Sequence, residues 1–157
     1  MNYPVNYKDI TTDIDFYQEL DVIHSEAENY LLGFKWCQEI KSSFLYTNLG
    51  EVLCIFLFEI INTQSIEDNF LWVMIGDFPP MYLDVYGAKT TKQVIEDYIN
   101  LAQDWIDQVK KENPVTDCYP FNTKPTLELA ELLEKRAQFM KNELLNNMTD
   151  IPYQLNR

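Results

Sequence analysis

Apolar residues in the first third of the chain recur with the period of a helix. Ser25 and Glu28 stand three residues apart and match a capping box, which is typical of a helix start. The apolar positions that follow lie three and four residues apart, at Ala27, Tyr30, Leu31, Phe34, Cys37, Ile40 and Phe44. This spacing predicts one amphipathic helix over about 25–44. A shorter helix is predicted around Ile14 to Ile23, and Asn48-Leu49-Gly50 indicates a stop.

Short and almost continuous apolar runs replace this period in the middle of the chain. Residues 51–61 (EVLCIFLFEII) and 70–76 (FLWVMIG) are rich in Ile, Val and Phe, as in strands covered on both faces. Residues 81–85 (MYLDV) alternate between two faces. Because consecutive strands usually pair with each other, the sequence predicts an antiparallel meander of three strands.

The last third returns to helical spacing. Thr90 and Gln93 match a second capping box, and an apolar stripe follows until Pro114. A final stripe predicts a helix through Ala130, Leu133, Ala137, Met140 and Leu144. The prediction is a single α+β domain over 1–157, with an N-terminal helix or helices, a small antiparallel three-stranded sheet and two C-terminal helices packed on it. The polar residues 1–12, with their proline, predict a loosely ordered arm.

The charge of the chain changes what this domain is expected to bind. All of the net charge of −13 comes from 9–34 and 42–88, which contain no Lys or Arg. Such acidity opposes binding to nucleic-acid phosphates and to anionic membranes. A basic protein partner is therefore predicted, with no nucleic acid and no membrane, while the oligomeric state stays open.

The leading functional hypothesis follows from this charge. It is a cytoplasmic, immunity-type inhibitor that occludes a basic bacterial toxin or effector, with acidic side chains that accelerate association. A DNA-mimic inhibitor is an alternative that shares the acidic surface. The residues predicted to contact the partner are Asp13, Asp15, Glu19, Asp21, Glu26, Glu28, Glu67 and Asp68.

A second hypothesis is a small enzyme or ligand-binding protein that uses carboxylates at the sheet. Glu59 lies in an apolar run, where a carboxylate must face solvent, find a partner or titrate. Gly76 is expected to supply backbone freedom before Asp77, although Asp77 could simply cap the turn and Glu59 could form a structural ion pair. The candidate pocket residues are Glu59, Asp77, Pro79, Tyr82 and Asp84.

Other chemistry has little support in the sequence. His24 is the single histidine, and Cys37, Cys54 and Cys118 form no C-x-x-C pair, which argues against a typical zinc site. The glycines are isolated, so no phosphate-binding loop is present. The sequence predicts no cofactor and no metal, and the beginning of the chain lacks the apolar segment of a signal peptide.

Four features stand out over about 36–109: Trp36-Cys37, the strand that ends in Glu59, the block Trp72-x-x-x-Gly76-Asp77-x-Pro79-x-x-Tyr82, and the helix that follows. In these features the chain resembles a family of short, uncharacterised bacterial proteins. The resemblance implies a small α+β domain and brings no established activity. It also implies that Gly76, Asp77, Pro79 and Tyr82 are either site residues or the signature of a turn.

Overall fold

The structure is a computed structural model of the chain and describes residues 2–13 and 16–154. Two residues named in the predictions, Ile14 and Asp15, lie outside this part of the chain. The elements, in chain order, are β1 (Val5–Asn6), a 3₁₀ helix (Tyr7–Asp9), α1 (Tyr17–Leu32), β2 (Cys37–Asn48), β3 (Leu53–Asn62), β4 (Phe70–Gly76), β5 (Phe78–Asp84), α2 (Thr91–Lys110), α3 (Leu127–Phe139) and a π-helical turn (Met140–Leu144).

The strands form one antiparallel sheet in the order β1-β2-β3-β4-β5. The chain is therefore an α+β protein, but the prediction of a three-stranded sheet with two C-terminal helices is wrong. The sheet has five strands, and three α-helices flank it within the described residues. The two additional strands are β1 and β2.

The largest error concerns β2, which occupies the second half of the predicted helix over 25–44. The helix α1 begins earlier, so Ser25 lies inside it and is not a cap, and it ends at Leu32. Beyond it, β2 pairs with β3 from Cys37 opposite Asn62 to Asn48 opposite Cys54. Three register shifts interrupt this pairing. Because each irregularity displaces the alternation of side chains, the apolar residues of β2 acquire a spacing that resembles a helix.

The edge strand β5 begins at Phe78, earlier than the predicted 81–85, and so includes Pro79 and Pro80. Proline cannot donate to a strand ladder, but it is tolerated at the edge of a sheet. The opposite edge is partly covered by β1, in which Val5 pairs with Leu45 and Asn6 with Phe44. The N-terminal residues 5–6 are thus part of the sheet.

The helices cover both faces of the sheet and create two cores. On one face, Leu20, Ala27 and Leu31 of α1 pack against β3 and β4 side chains that include Phe56, Phe58 and Val73. On the other face, α2 and α3 pack against the alternate positions of the same strands, which include Leu53, Ile55, Leu57, Trp72 and Met74. Because successive strand residues face opposite sides, continuous apolar runs in β3 and β4 supply both cores.

The cap of α2 is the one that the sequence predicts. The Thr90 hydroxyl accepts a hydrogen bond from the Gln93 N–H at 3.2 Å, and the Gln93 side chain accepts one from the Lys89 N–H at 2.7 Å. This cap places α2 directly after the sheet. Across the described residues, every helix is too short or too polar to cross a membrane.

Candidate functional site

A groove of about 1050 Å³ opens at the end of the sheet where the chain turns from β2 to β3 and from β4 to β5. The first turns of α1 form one wall and the end of α3 forms another. Its apolar lining consists of Val22, Ile23, Val52, Leu53, Phe78, Phe139 and Met140. Elements that are distant in sequence therefore meet around one opening.

Several apolar side chains in this groove are exposed to solvent. The exposed fractions are 59% for Val22, 49% for Val52 and 43% for Phe139. Single exposed apolar residues are normal on a protein surface, but three that line one concave surface indicate an interaction site. Ile23 and Met140 lie beneath them and are buried, so the groove has a packed floor.

The rim of the groove is acidic. Its ionisable residues are the carboxylates of Glu19, Glu26, Glu51 and Asp77 and a single guanidinium, that of Arg136. This Arg136 is already occupied: Nη2 donates to Asp77 Oδ2 at 2.6 Å, and Nε donates to the Asp77 carbonyl oxygen at 2.9 Å. Among the described residues, the salt bridges do not include the three glutamates of the rim.

Contact between the two turns fixes the end of the groove that lies on the sheet. The Asp77 N–H donates to the Val52 carbonyl oxygen at 3.4 Å, which joins the β4–β5 turn to the β2–β3 turn. Gly76 permits this approach because it has no side chain at the point where the backbones meet. Its φ is not in the left-handed region, so the reason for glycine here is space and not backbone freedom.

Replacing Asp77 with asparagine is expected to lower the free energy of unfolding by less than about 1 kcal/mol. Asp77 is exposed, and exposed ion pairs contribute little to stability. Its turn also keeps the backbone hydrogen bond to Val52 in this variant. Urea denaturation of both proteins checks the value, and a loss of more than about 2 kcal/mol would contradict a peripheral role for this pair.

The structure does not bring the three predicted pocket carboxylates together. Asp77 lies at the groove, whereas Glu59 and Asp84 lie at the opposite end of the sheet, because Glu59 pairs with Phe70 and Asp84 with Leu71 at the start of β4. The seven residues of β4 separate these ends by roughly 20 Å.

Each of the remaining pocket candidates has a structural partner. Glu59 accepts a hydrogen bond from Ser42 Oγ at 3.0 Å and lies 3.9 Å from Lys41 Nζ. Asp84 Oδ1 accepts from the backbone N–H groups of Tyr86 and Gly87, as in a turn cap. The Pro79 carbonyl accepts from the Tyr98 hydroxyl at 2.8 Å, and the Tyr119 hydroxyl bonds both backbone groups of Tyr82. These contacts hold the edge strand to the rest of the domain.

The predicted partner-binding acids are also divided in space. Glu19 and Glu26 line the groove, and Asp13 is exposed in the loop before α1. Glu67 and Asp68 lie in the β3–β4 connection, at the far end of the sheet. Asp15 is outside the described residues.

The other two predicted acids on α1 have structural contacts. Asp21 accepts a hydrogen bond from the Tyr7 hydroxyl at 2.8 Å, and Glu28 Oε1 lies 3.4 Å from His24 Nδ1. The sequence did not predict four residues that line the groove, namely Glu51, Val52, Phe139 and Arg136. An unusually exposed apolar residue has no signature in sequence, because exposure depends on which elements meet around it.

His24 lies between a serine and a glutamate, in the order found in hydrolase triads. Ser43 Oγ is 2.8 Å from His24 Nε2, and Glu28 is on the other side of the ring. However, His24 and Ser43 are both buried, and the Tyr7 ring stacks on the imidazole with centroids 3.6 Å apart. Neither the groove nor a smaller cavity at the other end of the sheet includes Ser43 in its lining. We therefore interpret this arrangement as structural.

In the part of the chain that the structure describes, neither the Cys54 thiol nor a cluster of metal-binding side chains provides a reactive centre. Burial raises the pKa of the Cys54 thiol to about 12, so it is not a reactive thiolate. Across residues 2–13 and 16–154, no three His, Cys, Asp or Glu side chains are grouped so that they could hold a metal ion.

Comparison of the chain with protein-family models, with curated proteins and with solved structures gives no match. The resemblance over about 36–109 therefore stays a prediction, and the groove is the feature of the structure that bears on function.

Proposed function

We propose that this chain is an acidic, cytoplasmic binding protein, and specifically an immunity-type inhibitor that occludes a basic bacterial toxin or effector. The observation that carries this proposal is the groove, in which exposed apolar side chains lie inside an acidic rim. The occupant is a segment of the partner that presents Lys or Arg beside apolar side chains.

The apolar lining would supply most of the binding free energy. Phe78 and Phe139 contribute aromatic surface to the lining of the groove, and large apolar side chains in concave positions are typical anchors of protein interfaces. Val22 and Val52 widen this surface. Each of these side chains would lose contact with water when the partner docks.

The acidic rim would select a basic partner and increase the rate of association. Glu19 and Glu26 are seven residues apart on α1, which places them about 10 Å apart along the helix axis. Glu51 lies on the β2–β3 turn, and Arg136 is held by Asp77. Long-range attraction between this rim and a cationic surface raises the association rate, and salt weakens it.

The geometry favours this function over the two alternatives. An enzyme built on Glu59, Asp77 and Asp84 would need them in one cleft, and they lie at opposite ends of the sheet. A DNA mimic would need acids spaced along one continuous face. Glu51 on the β2–β3 turn and the acids of the β3–β4 connection instead lie at opposite ends of the sheet.

Reversing the charge of the rim is expected to weaken binding of the basic partner by about tenfold or more. The test variant is Glu19→Lys with Glu26→Lys. The control is Glu39→Lys with Glu96→Lys, which changes the net charge equally at exposed positions outside the groove. Tagged proteins are used to capture partners from the native host at low salt, and the retained proteins are identified and eluted with rising salt.

The proposal requires more than capture of some protein. A basic protein should be retained by the original chain and by the control, lost from the groove variant, and toxic to cells unless this chain is co-expressed. Equal retention by the groove variant and the control would contradict the assignment of the groove. Absence of any basic protein that this chain neutralises would contradict the inhibitor function.

A further inference from the structure

A second cavity, of about 190 Å³, lies at the end of the sheet opposite the groove. It is bounded by the residue before β2, the β3–β4 connection, and the second half of β5. Pockets for drug-sized ligands measure about 300–1,000 Å³. This cavity is therefore matched to one functional group on a short stem, and not to a large cofactor.

Two aromatic rings form an angled wall of this cavity. The Trp36 and Tyr82 centroids are 5.1 Å apart and the ring planes are inclined by 60°. Phe34 stacks on Trp36 with ring centroids 4.9 Å apart, and it meets the Tyr82 ring edge to face at 5.1 Å. Both rings of the wall are thus held in place before any ligand arrives, and the faces of such rings attract cations.

The polar part of the lining is acidic and includes no Lys or Arg. Its carboxylates are Asp68, from the β3–β4 connection, and Asp84, at the end of β5. Asp84 is held by two backbone N–H groups through Oδ1. Burial raises the pKa of the Tyr82 hydroxyl, and the negative charge of Asp68 raises it further, so the potential of Asp68 extends to the aromatic wall.

We propose that this cavity binds an alkylammonium group, meaning a primary ammonium on a short carbon chain, as in a lysine side chain or a free diamine. The ammonium would donate hydrogen bonds to Asp68 and Asp84 and lie against the face of Trp36 or Tyr82. The carbon chain would contact the rings and Leu71. This site is separate from the groove and does not depend on the function proposed for it.

Other ligand classes fit these residues less well. Two carboxylates without a cation disfavour an anion. A divalent metal would need more oxygen ligands than these two side chains provide, and the described residues hold no group of three His, Cys, Asp or Glu that could hold a metal. A neutral polar ligand could use Asn62 and Gln64, but it would leave the charge of the carboxylates without a partner.

Fluorescence of Trp36 offers a direct assay. Trp72 and Trp105 are 0% and 1% exposed, so Trp36 is the tryptophan that a ligand in this cavity can reach. The chain is titrated at low salt with cadaverine, with Nα-acetyl-lysine N-methylamide and with pentan-1-ol. We expect a saturable change with at least one of the two amines and no saturable change with the alcohol. A response to cadaverine alone indicates a free amine as ligand, whereas a response to the lysine derivative indicates a lysine side chain.

Charge removal tests the role of the carboxylate. The Asp68→Asn variant is expected to bind the amine about fivefold more weakly, because a partly exposed ion pair is lost while the shape is kept. Glu67→Gln is the matched control, since Glu67 is the neighbouring acid and does not line the cavity. No saturable response to either amine, an equal response to the alcohol, or equal binding by Asp68→Asn and Glu67→Gln would overturn the proposal.

Discussion

Replacing Gly76 with alanine is expected to lower the free energy of unfolding by about 3 kcal/mol, near the upper end of the range for overpacked sites. A Cβ atom at this position would overlap the Val52 carbonyl oxygen and lie 2.9 Å from the Val52 carbonyl carbon. The Phe78 ring, at 2.7 Å, could turn away, but the Val52 backbone could not move without disturbing β3. The two turns would have to separate.

The same change is expected to impair the groove. Val52, Asp77 and Phe78 all line it, and the Asp77 N–H bond to the Val52 oxygen depends on the close approach at Gly76. A variant that folds should therefore bind the basic partner less well than the original chain. This effect distinguishes a loss of local geometry from a uniform loss of stability.

Urea denaturation of Gly76→Ala and Gly87→Ala tests the argument. Gly87 is outside the left-handed region, and a Cβ there would meet only Asp84 Oδ1 at an ordinary distance of 3.5 Å. We expect Gly87→Ala to change the free energy of unfolding by less than about 1 kcal/mol. Equal destabilisation by the two substitutions would show that the contact with Val52 does not set the requirement for glycine.

The parts of the fold that the sequence predicts best are those with an uninterrupted period. The stripe and the Thr90 cap identify α2, in which Val94, Tyr98 and Trp105 are buried. The apolar runs identify β3 and β4, because both faces of these strands are covered. In each case local pattern and tertiary environment agree.

The prediction for β2 is wrong because its local pattern and its tertiary environment disagree. Phe44 and Tyr46 belong to the core under α2 and α3, whereas Leu45 belongs to the core under α1. This strand alternates correctly only over short stretches between its register shifts. Its conformation is decided by the long ladder with β3, which no local pattern reveals.

The groove illustrates a similar limit for functional sites. The sequence revealed how many acids the chain has, but not that Glu19, Glu51 and Asp77 would surround one opening. The pair of Asp77 and Arg136 joins positions far apart in the chain, and the local sequence around Asp77 does not indicate that Arg136 is its partner. Which side chains meet around one opening depends on the topology of the sheet, and the sequence predicted a sheet with too few strands.

Titration of His24 is expected to reduce the stability of the fold in mild acid by about 2 kcal/mol, allowing for partial screening. Burial lowers the pKa of His24 to about 4, although the charge of Asp21 acts in the opposite direction. The unfolded chain therefore binds the proton more readily than the folded chain. The stability that neutral His24 contributes to the fold is complete above a pH of about 6.5 and is lost as the pH falls towards about 4.

The surroundings of His24 explain why its neutral form is preferred. Tyr7 stacks on the ring from the 3₁₀ helix, Phe56 and Phe58 contact it from β3, and Ser43 bonds Nε2 from β2. The ionisable groups nearby are Tyr7, Asp21 and Glu28. Burial and the charge of Asp21 raise the pKa of Glu28, which makes its contribution opposite in sign to that of His24.

The His24→Gln variant separates this contribution from that of the other carboxyl groups. Glutamine stays neutral at every pH and can still bond Ser43, although it loses the stacking with Tyr7, so it should be less stable than the original chain at pH 7. The difference between the two proteins, measured by urea denaturation between pH 7 and pH 4.5, should shrink by about 2 kcal/mol because glutamine has no proton to gain. The Glu28→Gln variant should still lose stability in acid as the original chain does, because His24 stays buried in it. A difference that stays constant with pH would show that His24 takes up its proton at the same pH in the folded and the unfolded chain, and would contradict the effect of burial.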